Sequence, residues 1–220
     1  MAQSSSMVYE LVRSRIMAGH YAPGAHLTEG QLCDELDVSR TPVRAALRRL
    51  TEEGLIQTEP HRGAFVAQWT RSDVDEVFEL RCVLESRGAG LAAERRSADE
   101  CAELRKSVDE MAKIAAAKKS TYKDDLHHNN REFHLLVLSA ARSPRLYKIA
   151  EQLAYTSVTL GTYFYYSDTD IARSIQFHRD ITDAIAAQNR TVAESLMSAH
   201  IGVGHVAFDA GRFGQSHPDD

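Results

Sequence analysis

The chain of 220 residues has no uninterrupted apolar run near the roughly 20 residues that a bilayer crossing requires, and its start, MAQSSSMVYELVRSRI, lacks the hydrophobic stretch of a signal peptide. A cytoplasmic location and no membrane partner are therefore expected. Cysteine is scarce: Cys33, Cys82 and Cys101 show no CxxC spacing and leave one over, which fits reduced thiols and excludes a disulfide scaffold. With 12 Gly and 5 Pro the chain is neither collagen-like nor low in complexity, and 43% apolar residues are enough to build a core. The length allows one large domain, or a small one joined to a larger.

What is present is an uneven distribution of charge. The net charge of −5 argues against nucleic acid as a partner when taken globally. Yet residues 39–51 hold Arg40, Arg44, Arg48 and Arg49 and no acid at all. Positive charge is concentrated on one short segment, and the rest of the chain carries the acidic excess.

Hydrophobic spacing predicts a first helix over 6–19, with Val8, Leu11, Val12 and Ile16 on one side and Gly19 as its stop. After the turn HYAPGAHL, a second helix begins behind a Thr28 cap and carries Leu32 and Leu36. A tight Asp37-Val38-Ser39 turn leads to a third, with Ser39 as N-cap, Pro42 in its first turn and Gly54 as its end. LIQTEP and GAFVAQ then read as a hairpin around Pro60-His61-Arg62-Gly63. Three helices and a hairpin make a winged helix-turn-helix over residues 1–70. From Ser72 the pattern changes to six helices, at about 72–95, 98–118, 121–141, 144–166, 168–188 and 190–210, with no strand. Breaks fall at Ser97, Ser120, Ser143-Pro144, Ser167-Asp168 and Asn189. The fold class is mainly α: a winged helix-turn-helix, then an all-helical bundle over 71–210, with 211–220 as a flexible tail.

A helix that enters the major groove needs long donors near its start and an apolar face behind them. SRTPVRAALRRL supplies both. Arg40 and Arg44 share a face near the helix start, Ser39 and Thr41 can reach phosphates, and Val43, Ala46, Leu47 and Leu50 face inward. A solvated basic surface helix is the alternative, weakened by the tight turn before it and the basic hairpin after it.

From Tyr9 to Val66 the chain resembles the GntR family of bacterial transcription regulators, on the Pro23-Gly24 turn, the SRTPVRAALRRL helix, the EEGL stop and the PHRGAFV wing in order and spacing. The resemblance implies a homodimer on double-stranded DNA with a two-fold symmetric, palindromic operator. It implies base contacts from Arg40 and Arg44, backbone contacts from Ser39 and Thr41, and minor-groove contacts from Arg62 with Gly63. Gly30 is a departure, since some relatives carry a basic residue there.

Of ten histidines, His20, His26, His61, His127, His128, His205 and His217 have no special setting in the sequence. His134, His178 and His200 each lie on the apolar side of a helix. A core histidine is commonly structural, but three on inward-facing helices also describe a metal site, with Asn130 one turn before His134 as a fourth donor. The second domain, over about 72–210, resembles the FadR-type, or FCD, branch, on VFELRCVLESRGAGLAA, NREFH, FHRDITDAIAAQN and AESLMSAHI. That resemblance implies a divalent ion, Zn²⁺ with Ni²⁺ or Mn²⁺ as options, on Asn130, His134, His178 and His200. Asp is the usual first ligand, so Asn130 removes one negative charge. It also implies a small carboxylate effector and, at the family's arginine position, Arg81 as its partner. The alternative for Arg81 is an ion pair with Glu85 one turn away. Tyr163, Phe164, Tyr165 and Tyr166 line the pocket or pack in the core or dimer.

The sequence therefore predicts a ligand-responsive regulator, of the repressor kind, that is not an enzyme. A metal-sensing regulator is the second reading. A catalytic zinc protein is the third, and it lacks a general base: Glu132 lies off the His134 face and there is no HExxH.

Overall fold

The structure, a computed structural model, describes residues 5–17, 20–59 and 62–214, with the backbone alone for 154–160. Gly19 as a helix stop, Pro60 and His61 of the hairpin tip, and residues 215–220 of the tail lie outside the described residues. The chain divides into two compact units, Met1–Thr70 and Arg71–Asp220. No helix among the described residues is long and apolar enough to cross a membrane.

The first unit runs α1 (Ser5–Met17), β1 (His26–Leu27), α2 (Glu29–Leu36), α3 (Arg40–Glu52), β2 (Ile56–Glu59) and β3 (Gly63–Val66). Val8 and Val12 of α1, Leu32 of α2, Val43, Ala46 and Leu50 of α3, and Ile56 and Val66 of the strands close one core. Thr28 caps α2 by accepting from the Gln31 N–H at 3.1 Å. Asp37 ends α2 in the left-handed region at φ +52°, which turns the chain sharply into α3. Ser39 has the extended backbone of an N-cap, but its side chain makes no capping bond. Pro42 falls in the first turn of α3, where a missing N–H leaves nothing unpaired.

β2 and β3 pair antiparallel from Ile56↔Val66 to Glu59↔Gly63. The turn before α2 also supplies a strand that the sequence pattern did not show: β1 pairs with β3, giving the order β1-β3-β2. Two residues are too short for a period-2 signal, so only the partner strand reveals them.

The second unit is built from α4 (Arg71–Arg95), α5 (Ala98–Ala117), α6 (Tyr122–Ala140), α7 (Pro144–Leu160), α8 (Thr162–Tyr165), α9 (Asp168–Ala186) and α10 (Arg190–Arg212). The expected helix over 144–166 is in fact two, because Gly161 stands at φ +68° between α7 and α8. A left-handed residue ends an α-helix, and glycine takes that conformation without a Cβ penalty. Ser97 and Ser167 start α5 and α9 with full capping boxes, through Glu100 and Asp170.

α4 packs along α10 and also meets α6, α7 and α9. Its last residue, Arg95, and the Arg96 that follows it act as caps for two of these neighbours. Arg95 donates to the Ala141 carbonyl at 3.0 Å, and Arg96 to those of Ile185 and Ala186 at 3.1 and 2.7 Å. Cations at the C-terminal ends of α6 and α9 satisfy carbonyls that have no partner within the helix. The three helices α4, α6 and α9 are thereby locked in register.

Candidate metal centre and nucleic-acid interface

In the second unit, α6, α9 and α10 each carry one histidine into the same buried spot. His134, His178 and His200 are 1%, 0% and 8% exposed, and their ligand atoms lie within 4.8 Å of one another. His200 Nε2 is 3.2 Å from His178 Nε2 and 3.3 Å from His134 Nε2. A tetrahedral ion at ordinary Zn–N distances holds its nitrogens about 3.3 Å apart, so the spacing suits such an ion. Phe133 stacks flat on His178, with ring centroids 4.0 Å apart, and fixes that ring.

Behind the cluster stands a group that the sequence offered only as a partner for Arg81. Glu85, 1% exposed, places Oε2 2.5 Å from His134 Nδ1, while its Oε1 accepts from Arg81 Nε at 2.6 Å. The contact lacks hydrogen-bond geometry, so the carboxylate acts on the ring through its charge, favouring a proton on Nδ1 and leaving Nε2 to a metal. Burial by itself would raise the Glu85 carboxyl. Arg81 and His134 outweigh that and hold it well below the usual carboxylate range. Burial, followed by the charges of the neighbouring groups, pushes His178 and His200 well below the ordinary imidazole value. Neutral imidazoles are the form that binds metal.

The Arg81 to Glu85 pair read as one alternative from the sequence is present, and it is buried rather than exposed. Arg81 bonds to Glu85 through Nε, and its Nη nitrogens make no hydrogen bond among the described residues. Asn130 Oδ1 accepts from Tyr163 Oη at 3.1 Å, and that hydroxyl is 2.8 Å from Ser174 Oγ. One lone pair of the Asn130 oxygen is engaged and one is left. Beside His200 lies a cavity of about 10 Å³ lined by Tyr166, Ser174, Phe177 and Gly204, enough for about one water molecule.

Two histidines set aside in the sequence have definite places. His127 is buried, and its Nε2 accepts from the Tyr163 N–H at 2.9 Å. The break at Gly161 frees that N–H for a side chain, so the pairing could not be read without the break. His205 stacks on Phe78 and lies 2.8 Å from Asp75 Oδ1. Glu85 did leave a signal: Val74, Phe78, Arg81, Glu85, Gly88 and Ala92 form one helical stripe in which two charged residues take core positions.

In the first unit, Ser39, Arg40, Thr41 and Arg44 stand exposed on the start of α3. Arg44 Nε lies 2.8 Å from both carboxylate oxygens of Glu29 on α2. Arg62, on the wing, is ion-paired with Glu59 and sits 5.3 Å above the Phe65 ring. Gly63 has φ +99°, and a Cβ there would come within 2.7 Å of His26 Nε2, so the wing turn needs glycine. Arg44 and Gly63 line one open cleft of about 500 Å³ between α3 and the strands. The α3 helix and the β2–β3 hairpin therefore share a single concave surface.

Residues 76–203 match the FCD domain, and residues 4–66 match the bacterial regulatory proteins of the gntR family. The HTH-type transcriptional regulator YdhC of Bacillus subtilis is 26% identical over 87% of this chain and 85% of its own length. The galactonate operon transcriptional repressor of Escherichia coli is 27% identical over 82% of this chain and 86% of its own. The solved structure of McbR/YncC from E. coli has the same fold, with a TM-score of 0.68 at 22% identity over 92% of this chain and 95% of that one. These matches are to transcriptional regulators and not to enzymes, which removes the catalytic reading of the three histidines. The chain belongs to the GntR family of DNA-binding transcriptional regulators, in the branch that carries an FCD domain.

Proposed function

We propose that this regulator is a homodimer that represses from a two-fold symmetric operator and responds to a small carboxylate held at a divalent ion, Zn²⁺, in residues 71–210. Residues 1–70 read DNA in this proposal. The single observation that carries the effector site is the convergence of three buried imidazole Nε2 atoms, 3.2 and 3.3 Å apart, backed by a carboxylate. His134, His178 and His200 would hold the ion, with the Asn130 oxygen as a fourth donor. When bound, such an ion offers open coordination positions to a carboxylate oxygen. Ni²⁺ and Mn²⁺ accept the same donors, but the spacing favours tetrahedral Zn²⁺.

The chain's own residues do the rest. Glu85 orients His134 and anchors Arg81, whose Nη nitrogens remain for a carboxylate. The cavity of about 10 Å³ beside His200 admits a water but not an organic acid, so binding must move the surrounding α8–α10 segments. Any such movement of α10 reaches the start of α4 through two side-chain pairs, Arg71 with Asp209 and Asp75 with His205. α4 follows directly on the DNA-reading residues in the chain. An effector that favours the opened arrangement shifts the population toward it. The relative named for a galactonate operon supports the effector class, because galactonate is a carboxylate. Exposed Leu80 and Val83 on α4, and Ile149 on the α7 helix packed against it, support the homodimer.

The water-sized cavity also favours a second reading, in which the ion itself is the signal. Melting of the purified protein, metal-loaded and chelated, against small carboxylates decides between them. The proposal expects chelation to lower the melting temperature and one carboxylate to raise it only with metal present. Stabilisation by metal with no carboxylate adding to it supports the ion as signal. Indifference to metal overturns both.

A further inference from the structure

We infer that Glu29 is a positioning residue for base readout: it holds the Arg44 guanidinium by Nε alone and so presents the two Nη nitrogens outward as a fixed pair. The inference rests on the proposed contact of Arg44 with DNA bases. Arg44 Nε sits 2.8 Å from Glu29 Oε1 and 2.8 Å from Oε2, and among the described residues Arg44 makes no other hydrogen bond. Recognition of guanine O6 and N7 takes two N–H groups from one guanidinium. Holding the side chain through Nε leaves all four Nη protons for that task.

Among the described residues, the other arginines of α3 are not treated this way. Arg48 and Arg49 pair with Glu52 and Glu53 one turn along the same helix, at 3.5 and 3.1 Å. Arg40 has no ion pair among the described residues. Arg49 also lies over the Tyr9 ring of α1, 3.6 Å from its centroid, but among the described residues only Arg44 of these four is ion-paired to a different helix. The tie point is also fixed: Glu29 is the first residue of α2, immediately after the Thr28 cap, where the helix N-terminus favours a carboxylate. A long side chain that wanders among rotamers must be ordered on binding, and one already held loses less.

The same carboxylate carries a second consequence. A negative charge on a DNA-facing surface repels phosphate, so every duplex is disfavoured, and only a base that engages the Nη pair offsets the repulsion. Next to Glu29 stands Gly30, which has no side chain and so adds no second cation beside the one that Arg44 supplies. Glu29 thereby raises selectivity by lowering affinity for random sequence. A simple brace between α2 and α3 would do neither, and an exposed ion pair contributes little as a brace.

The test uses the full-length protein and the duplex it selects from randomised DNA. Wild type, Glu29→Ala, Glu29→Gln and Arg44→Ala are titrated at one salt concentration against that duplex, its single-base variants and random DNA. Arg44→Ala is expected to lose discrimination at one base pair per half-site. Glu29→Ala is expected to lose about tenfold discrimination at that same base pair while binding random DNA more tightly. Glu29→Gln keeps an acceptor for Nε without the charge. It is expected to retain most of the discrimination and show the same gain on random DNA, and it decides the matter if the alanine variant fails to fold. Unchanged discrimination in both Glu29 variants, with Arg44→Ala still losing its base pair, overturns the role of Glu29. If Arg44→Ala loses affinity equally on all duplexes, the base contact itself is wrong, and the inference falls with it.

Discussion

In the first unit, Arg44, Arg48 and Arg62 stand at the surface, each beside an acid that shares its access to water. In the second, Arg81, Glu85 and His134 are joined where almost no water reaches, at 6%, 1% and 1% side-chain exposure. The difference is one of exchangeability. An exposed pair has water as an alternative partner, so loosening it, or sharing its arginine with a phosphate or a base, costs little. A buried pair has no such alternative, and removing one member leaves a charge that nothing solvates. A surface that must change partners uses the first arrangement, and a centre that must stay in one geometry uses the second.

The largest expected effect breaks the buried side. Glu85→Ala leaves Arg81 uncompensated and should cost about 3–5 kcal/mol of stability in urea unfolding, whereas Glu52→Ala on the exposed side should cost under about 1 kcal/mol. Equal small losses would mean that Arg81 is hydrated and that the contrast does not hold. Next comes Arg44→Ala, with about 1–3 kcal/mol lost on the preferred duplex and base preference relaxed at one position. A loss of the same size on random DNA would reduce Arg44 to a phosphate contact.

The helix caps sharpen the same contrast at a smaller scale. Ser97 both accepts and completes a capping box, so Ser97→Ala should cost about 1 kcal/mol, while Ser39, whose side chain caps nothing, should cost only a few tenths. Ser39→Ala should instead weaken DNA binding to a similar degree on every sequence, as expected of a backbone contact. The smallest change is Gly30→Arg. Open space at Gly30 predicts no loss of stability, a uniform gain in DNA affinity and a salt dependence steeper by about one counterion. A gain restricted to one sequence would make that arginine a base reader instead.

Much of the DNA-reading unit was legible because its signals are local. The alternation of Val43, Ala46, Leu47 and Leu50 with arginines fixes which face of α3 turns inward, and those four residues are buried. Thr28, Ser97, Ser167 and Asn189 announce helix starts by the bonds that they make three residues on. β1 was not legible, because two residues become a strand only when β3 lies beside them. The break at Gly161 was hidden for a related reason. A lone glycine inside a helical pattern costs little, and only the packing of Tyr163 against His127 and Ser174 shows why the chain turns there.

By itself the sequence determined which residues face inward, where helices begin, and that basic side chains gather on the third helix, since each depends on neighbours within a turn or two along the chain. Tertiary structure alone decided which distant groups share a charge. Glu29 meets Arg44 across 15 residues, and His200 meets His134 across 66. Glu85, read as a neighbour of Arg81, becomes the support of a histidine on another helix. Periodicity says which way a side chain points but not what it will find there, and the electrostatics of both sites depend on what is found.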